Sequence, residues 1–219
     1  MAQQIVIIGL GQFGMSLART FSEKGAEVLA IDSSKELVDE ASAFVAEAIA
    51  MDATDSAELA RIHPEQRDVA ICAIGDESKE ASILSTALLR QLGAPLVIAR
   101  ANDKTHRRIL QLVGAHQVIN PEEEFGNRFA HRLLFRNVIA DTPIGGDLLL
   151  TEISLRPSMV GRTLVELELP KRFGMLVAAI RRCDTTKILQ PSPTEPLQAN
   201  DRLVVVSSEA AIAKLAKEV

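Results

Sequence analysis

The run Ile5-Val-Ile-Ile-Gly9-Leu-Gly11-Gln-Phe-Gly14 sets three glycines in a G-x-G-x-x-G spacing, directly after a β-branched apolar stretch and before an amphipathic one. Each glycine has its own physical task. Gly9 permits a tight turn, Gly11 lets the backbone approach a pyrophosphate, and Gly14 allows the following helix to pack closely on the strand. The free N–H groups at the helix start, aided by the helix dipole, then attract phosphate. The segment Ala30-Ile31-Asp32 ends a second apolar run and places an acid 23 residues after Gly9, the position expected of a ribose ligand. Asp32 would accept hydrogen bonds from ribose hydroxyls, and its charge would repel a 2′-phosphate, which disfavours NADP. The chemistry predicted is binding of an adenine nucleotide. The plainer alternative is a turn made by glycines and an acid that caps the next helix.

Other polar groups fall at the ends of later apolar runs: Asp52-Ala53-Thr54, Gly75-Asp76 and Arg100. In an open α/β sheet, ligands bind at the carboxyl ends of the strands. The predicted nucleotide contacts are therefore Gly9, Gly11, Gln12, Phe13, Gly14, Asp32 and Ser33 around the first turn. Asp52, Ala53, Thr54, Ala73, Gly75 and Arg100 complete the set on the neighbouring loops. The plainer alternative for Asp52 and Thr54 is a helix cap. Groups suited to proton transfer are sparse. There is no tyrosine, His63, His106, His116 and His131 show no metal-ligand spacing and read as surface residues, and the C-terminal part has one cysteine and no histidine. Cys72 lies in an apolar run and reads as a buried free thiol. The doublet Arg181-Arg182 reads as a solvated charge pair at a strand end, with a phosphate site as the alternative.

The elements that would position these groups alternate regularly. Strand-like runs Gln4–Ile8, Glu27–Ile31, Ala46–Met51, Val69–Ile74, Leu96–Ala99 and Gln117–Ile119 are separated by helical periodicity at Phe13–Lys24, Lys35–Ala43, Lys79–Leu92 and Lys104–Val113. Gly25, Gly93 and Gly114 stop three of those helices. This predicts a doubly wound α/β domain around a parallel, Rossmann-like sheet. A longer helix, Glu122–Ile139, follows Asn120-Pro121, with Phe125, Phe129, Leu133 and Leu134 as one buried stripe. Turn chemistry at Asp141–Asp147 marks a linker, so the expected division is 1–140 and 141–219. The second part reads as a small α+β module: strand Leu148–Leu155, helix Thr163–Leu167, strand Met175–Arg181, a proline-rich loop Gln190–Pro196, strand Arg202–Ser207 and helix Glu209–Lys217.

Composition narrows the function classes. The 219 residues carry a net charge of −5 with no basic run, which argues against nucleic-acid binding. From Asp141 onward ten acids balance ten bases, so the negative excess belongs to the first part. No apolar run reaches the length of a membrane helix, and the start lacks the features of a secretory signal, so a cytosolic protein is expected.

Taken together these residues resemble the RCK proteins, regulators of potassium conductance, of the KtrA and TrkA type. The resemblance rests on Gly9-Leu-Gly-Gln-Phe-Gly14, Ala30-Ile-Asp32, Asp52-Ala-Thr54, Cys72-Ala-Ile-Gly75, Ile98-Ala-Arg-Ala101 and Gly114-Ala-His-Gln-Val-Ile-Asn-Pro-Glu122. It continues through Val160-Gly-Arg-Thr-Leu164 and Leu169-Pro170 to Asn200-Asp-Arg-Leu203. It implies a nucleotide-binding N-terminal RCK domain, a crossover helix and a small RCK C-domain with a second ligand site, such as one for a cyclic dinucleotide. It also implies homodimers that assemble into a ring of eight beneath a membrane potassium channel or transporter, at the inner face of the membrane. Exchange of ATP, ADP or NAD(H) would change the shape of that ring. Where KtrA-like members often carry an arginine after the second glycine, this chain has Gln12, a neutral amide that weakens discrimination of ATP from ADP. The family places a cation-binding acid near the dimer axis at the position of Glu122, which serves equally as an acid favoured by the dipole of its helix. The alternatives are an NAD(H)-dependent oxidoreductase and a redox-sensing transcription factor. The first has few groups suited to acid–base work, and the second lacks a basic recognition helix.

Overall fold

The computed structural model describes residues 2–75, 78–135, 137–182 and 188–217. Asp76 and Cys183 lie outside the described residues. The chain divides into two compact units, Met1–Glu122 and Glu123–Val219. That division falls inside the long helix, whereas the sequence boundary at 140 counts the whole helix with the first part.

In the first unit, strands and helices alternate as β1 (Gln4–Ile8), α1 (Gln12–Glu23), β2 (Glu27–Asp32), α2 (Lys35–Ser42), β3 (Glu47–Ala50) and α3 (Ser56–Arg61). They continue as β4 (Val69–Cys72), α4 (Lys79–Gln91), β5 (Val97–Arg100), α5 (Lys104–Leu112), β6 (Gln117–Ile119) and the start of α6 (Pro121–Leu134). The sheet is wholly parallel in the order β3-β2-β1-β4-β5-β6, so the chain reverses direction across the sheet between β1 and β4. This is the predicted doubly wound sheet, with Gly25, Gly93 and Gly114 just beyond α1, α4 and α5.

The continuous apolar run of β1 follows from burial on both faces. Ile5 and Ile7 pack with Ala18, Val38 and Ala41 of α1 and α2, whereas Val6 and Ile8 pack with Leu59 and Leu89 of α3 and α4. Each such side chain contributes about 1.5–3 kcal/mol relative to exposure. The period of two assigns successive residues to opposite layers, which fixes the register of the central strands and the place where β1 ends.

The second unit contains a five-stranded sheet in the order β10-β9-β11-β8-β7. Its elements are β7 (Val138–Gly145), β8 (Leu148–Ser154), α7 (Leu164–Leu167), α8 (Leu169–Phe173), β9 (Leu176–Arg181), β10 (Ile188–Leu189), β11 (Arg202–Ser208) and α9 (Glu209–Lys217). All its pairings are antiparallel. The core joins Ile153, Leu203 and Val205 of the sheet, Leu169 of α8 and Met175 before β9 to Ile212 and Leu215 of α9.

Five expectations are corrected here. The linker Asp141–Asp147 is mostly strand: β7 runs to Gly145, and only Gly146 and Asp147 turn the chain into β8. Pro143 is compatible because β7 is an edge strand, where a missing N–H costs no ladder bond. The long helix ends at Leu134, not Ile139, because Val138 onward pairs with β8. Its apolar stripe is not buried within the chain: Phe125 is 58% exposed and Phe129 46%, the two rings stack at 5.8 Å, and Leu133 and Leu134 are also exposed. Two histidines are interior, His106 and His131, the latter with Nδ1 3.0 Å from Asp141 Oδ2 and its ring edge against Phe135. The arginine doublet is not merely solvated either, since Arg181 pairs with Glu152, and Arg182 with Glu195 and the buried Asp201.

Asp103 ties two helices of the first unit together, accepting from the His106 amide as the cap of α5 and from Lys79 Nζ at the start of α4. The Lys79 hydrogen bond, followed by that of His106, holds its carboxyl at about 2. A depressed carboxylate stabilises the fold above the ordinary Asp range, and this contribution is lost as pH falls through about 2. Because Asn caps as well as Asp, Asp103→Asn isolates the charge. The variant is expected to melt a few degrees lower near neutral pH, with the gap closing between about pH 4 and pH 2 in circular-dichroism melts. A gap independent of pH would rule out the ionic origin.

Candidate functional site

The loops at the carboxyl ends of β1, β2, β3 and β4 enclose a cavity of about 560 Å³, within the range of small-molecule sites. Its floor is the turn after β1. Gly9 has φ +94°, and a Cβ there would lie 2.9 Å from the Ile74 amide nitrogen, so the turn and the loop after β4 touch backbone to backbone. Gly14 is more constrained. A Cβ on it would stand 1.8 Å from the Gly9 carbonyl oxygen and 3.3 Å from the Ala73 Cβ. The glycine therefore brings α1 directly over the end of β1.

The start of α1 differs from the other helix starts of the sheet. Ser34, Asp55, Ser78 and Asp103 cap α2 to α5 through their side chains. At α1 the cap position is Gly11, with no side-chain hydrogen bond and no acid in the first turn. Its first N–H groups are left to a partner from outside the helix, and an anion is the partner the dipole favours.

Asp32 closes one side of the cavity. Its Oδ2 accepts the Leu10 amide at 2.6 Å and its Oδ1 the Ser34 amide at 2.8 Å. The carboxylate thus ties the turn after β1 to the β2 loop while each oxygen keeps lone pairs for a further donor. It does not cap α2, which Ser34 does. On the β3 loop, Asp52 Oδ1 accepts the amide and hydroxyl of Thr54 at 2.9 and 2.7 Å, and these bonds hold its pKa below the usual carboxylate value. Neither residue caps α3, a role taken by Asp55.

Of the predicted contacts, Gly9, Gly11, Gln12, Asp32 and Ser33 line the cavity from the first two loops, and Asp52, Ala53, Thr54, Ala73, Gly75 and Arg100 from the others. Phe13 and Gly14 do not. Phe13 packs in the layer beneath α1 and α2, and Gly14 is spent on the helix–strand approach. Sequence reasoning missed the apolar walls Leu37 and Met51 and the polar Ser34, Ser78 and Ser85. Their only signal was position, beside strand ends or in the first two turns of α2 and α4. Arg100 is the single cationic side chain on the wall among the described residues, and its Nη2 pairs with Glu122. Glu122 is one carboxylate already engaged, and no group of three or more metal-ligating side chains forms among the described residues.

A family model for the TrkA-N domain matches residues 5–121, and one for the TrkA-C domain matches 150–219. The chain belongs to the KtrA/TrkA type of the RCK family. This RCK chain is 32% identical to the Ktr system potassium uptake protein C of Bacillus subtilis, over 100% of its own length and 98% of that relative. It is 33% identical to the Ktr system potassium uptake protein A of Vibrio alginolyticus, over 98% and 97% of the two chains. Among solved structures, the GsuK channel bound to NAD matches with a TM-score of 0.66 at 19% identity, covering 100% of the RCK chain and 40% of the channel. That likeness shows the fold.

The Gly14 geometry has a sign that helix propensity alone would reverse. An alanine inside a helix is normally better than glycine by about 1 kcal/mol. Here Gly14→Ala drives a methyl into the Gly9 carbonyl, at the upper range of overpacking costs, and we expect a net loss of about 2 kcal/mol in urea unfolding. A stabilised variant would show that α1 can lift away freely.

Proposed function

We propose that this chain is the nucleotide-binding regulatory subunit of a membrane potassium transport system, and that it gates transport without catalysing a reaction. One observation carries the reading: an uncapped helix N-terminus, reached closely because of Gly14, opens on a cavity whose far side holds Asp32. The phosphates of ATP, ADP or NAD(H) would lie against Gly9, Gly11 and Gln12, and the ribose against Asp32. The base would occupy the slot between Leu37 and Met51. Support for the potassium system comes from full-length similarity to Ktr uptake proteins. Support for a nucleotide comes from the cavity itself and from the NAD-bound state of the GsuK channel, which shares the fold.

Asp32 and Asp52 are the titratable acids on the wall among the described residues, and both are taken up in fixing the rim loops. A gating subunit needs only that two shapes of an assembly hold the ligand with different affinity. The exposed stripe Phe125, Phe129, Leu133 and Leu134 on α6 supports homodimerisation through that helix, and dimers would close into a ring of eight at the cytoplasmic face of the membrane partner. A cation at the dimer axis would draw Glu122 from each chain, and would first have to take it from Arg100. The second unit would supply a further ligand site.

Calorimetry with ATP, ADP, NAD and NADH on nucleotide-stripped protein tests the reading. Binding of at least one is expected, weakened by about 1–3 kcal/mol in Asp32→Asn. Because Gln12 brings no charge, ATP and ADP should bind with similar affinity, and Gln12→Arg should favour ATP by about ten-fold. No binding of any of the four would overturn the proposal.

The oligomeric state provides a second check. Light scattering on the eluting protein should give a dimer or larger at micromolar concentration, and Phe125→Ser with Phe129→Ser should shift it toward monomer. A strict monomer in the natural chain would contradict a gating ring.

A further inference from the structure

Arg100 stands between two helix starts. It ends β5, lines the cavity, and donates from Nη2 to Oε1 of Glu122, the second residue of α6. Its side chain is only 17% exposed, while that of Glu122 is 58% exposed. On its other side, Nη1 lies 3.2 Å from where a Cβ on Gly75 would be, in the loop whose Ile74 presses on the Gly9 turn. Its Cζ is 5.6 Å from the ring centroid of Phe13, the second residue of α1. Its Nε is buried without an acceptor. The guanidinium therefore sits beside the place where the start of α1 would hold phosphate, with one donor given to α6 and another unsatisfied.

An arginine keeps its charge at all accessible pH values and offers its donors in one rigid plane suited to a carboxylate or a phosphate. It cannot serve both fully from the same edge. We propose that Glu122 and the terminal phosphate of a bound nucleotide compete for Arg100, so that engagement of the phosphate loosens the first turn of α6. This inference rests on the reading of the cavity as a nucleotide site and adds the route by which occupancy leaves it. The route is short. Glu122 is followed three residues later by Phe125, the first of the exposed apolar stripe, on the same continuous helix. The competition also holds down any preference for ATP, because the triphosphate must displace a carboxylate to gain its extra ion pair.

The test uses the full chain, stripped of nucleotide and kept free of divalent ions. ATP and ADP are titrated into the natural protein, Glu122→Gln, Arg100→Gln, the double variant and Glu124→Gln as a charge control. Glu122→Gln is expected to tighten ATP by about ten-fold and ADP by much less, since a charge-assisted competitor has been removed. In the Arg100→Gln background the same change should do nothing, which is the non-additivity of a shared partner. Hydrogen exchange at amides 125–128, which bond back to carbonyls 121–124 in a helix, should quicken with ATP in the natural protein and be fast already in Glu122→Gln. If Glu122→Gln tightens ATP equally without Arg100, or if Glu124→Gln matches it, the effect is general electrostatics and the competition is wrong. ATP binding that leaves exchange at 125–128 unchanged would equally overturn it. A natural protein that binds neither nucleotide sinks the site reading and this inference together, whereas normal binding with a silent Glu122→Gln sinks this inference alone.

Discussion

The first unit depends on one backbone approach, the seating of α1 on the end of β1 with no side chain between Gly14 and the Gly9 carbonyl. Everything around the cavity is arranged about that contact. It brings the N–H groups of the helix start over the strand end, and the sheet order places this point where the chain changes direction. The loops after β1 and β4 meet where Ile74 presses on Gly9, and both line the crevice that opens beside this contact. Burial of β1 on both faces makes the placement rigid, because its alternate side chains are locked into two separate layers.

The acids on the rim have two tasks. Asp32 cross-links the turn after β1 to the β2 loop, and Asp52 folds the β3 loop through Thr54. Groups that would meet a ligand are thus already held in place by the backbone amides they accept. Such preorganisation lowers the ordering cost of binding, since the donors and acceptors need not be gathered from mobile conformers. Arg100 is the exception on this wall. Its guanidinium pairs with Glu122 of α6, so it is held by a side chain and not by the backbone of a rim loop.

Periodicity and glycine spacing made the parallel sheet, its helices and most of the cavity wall legible from sequence, because those features are local and repeat every few residues. What failed was long-range. The stripe on α6 looked like a core face because a helical pattern records that a face must be covered and not by which chain. Pro143 and the Gly145-Gly146 pair read as a linker, although an edge strand tolerates the proline and a hairpin uses the glycines. Phe13 looked like a ligand contact from its place in the motif, while its direction was set by packing under α1. The burial of His106 and His131, and the ion pairs of Arg181 and Arg182, depend on partners distant in sequence that no local pattern announces.

The turn between β7 and β8 has a practical consequence. Gly146 and Asp147 are exposed, and they join two strands whose pairing is set by side chains elsewhere in the hairpin. Lengthening such a tip adds loop-closure entropy that grows only slowly with length and disturbs no packed side chain. An epitope or a small fluorescent module spliced between these two residues would mark the second unit internally, leaving both chain ends free for other handles.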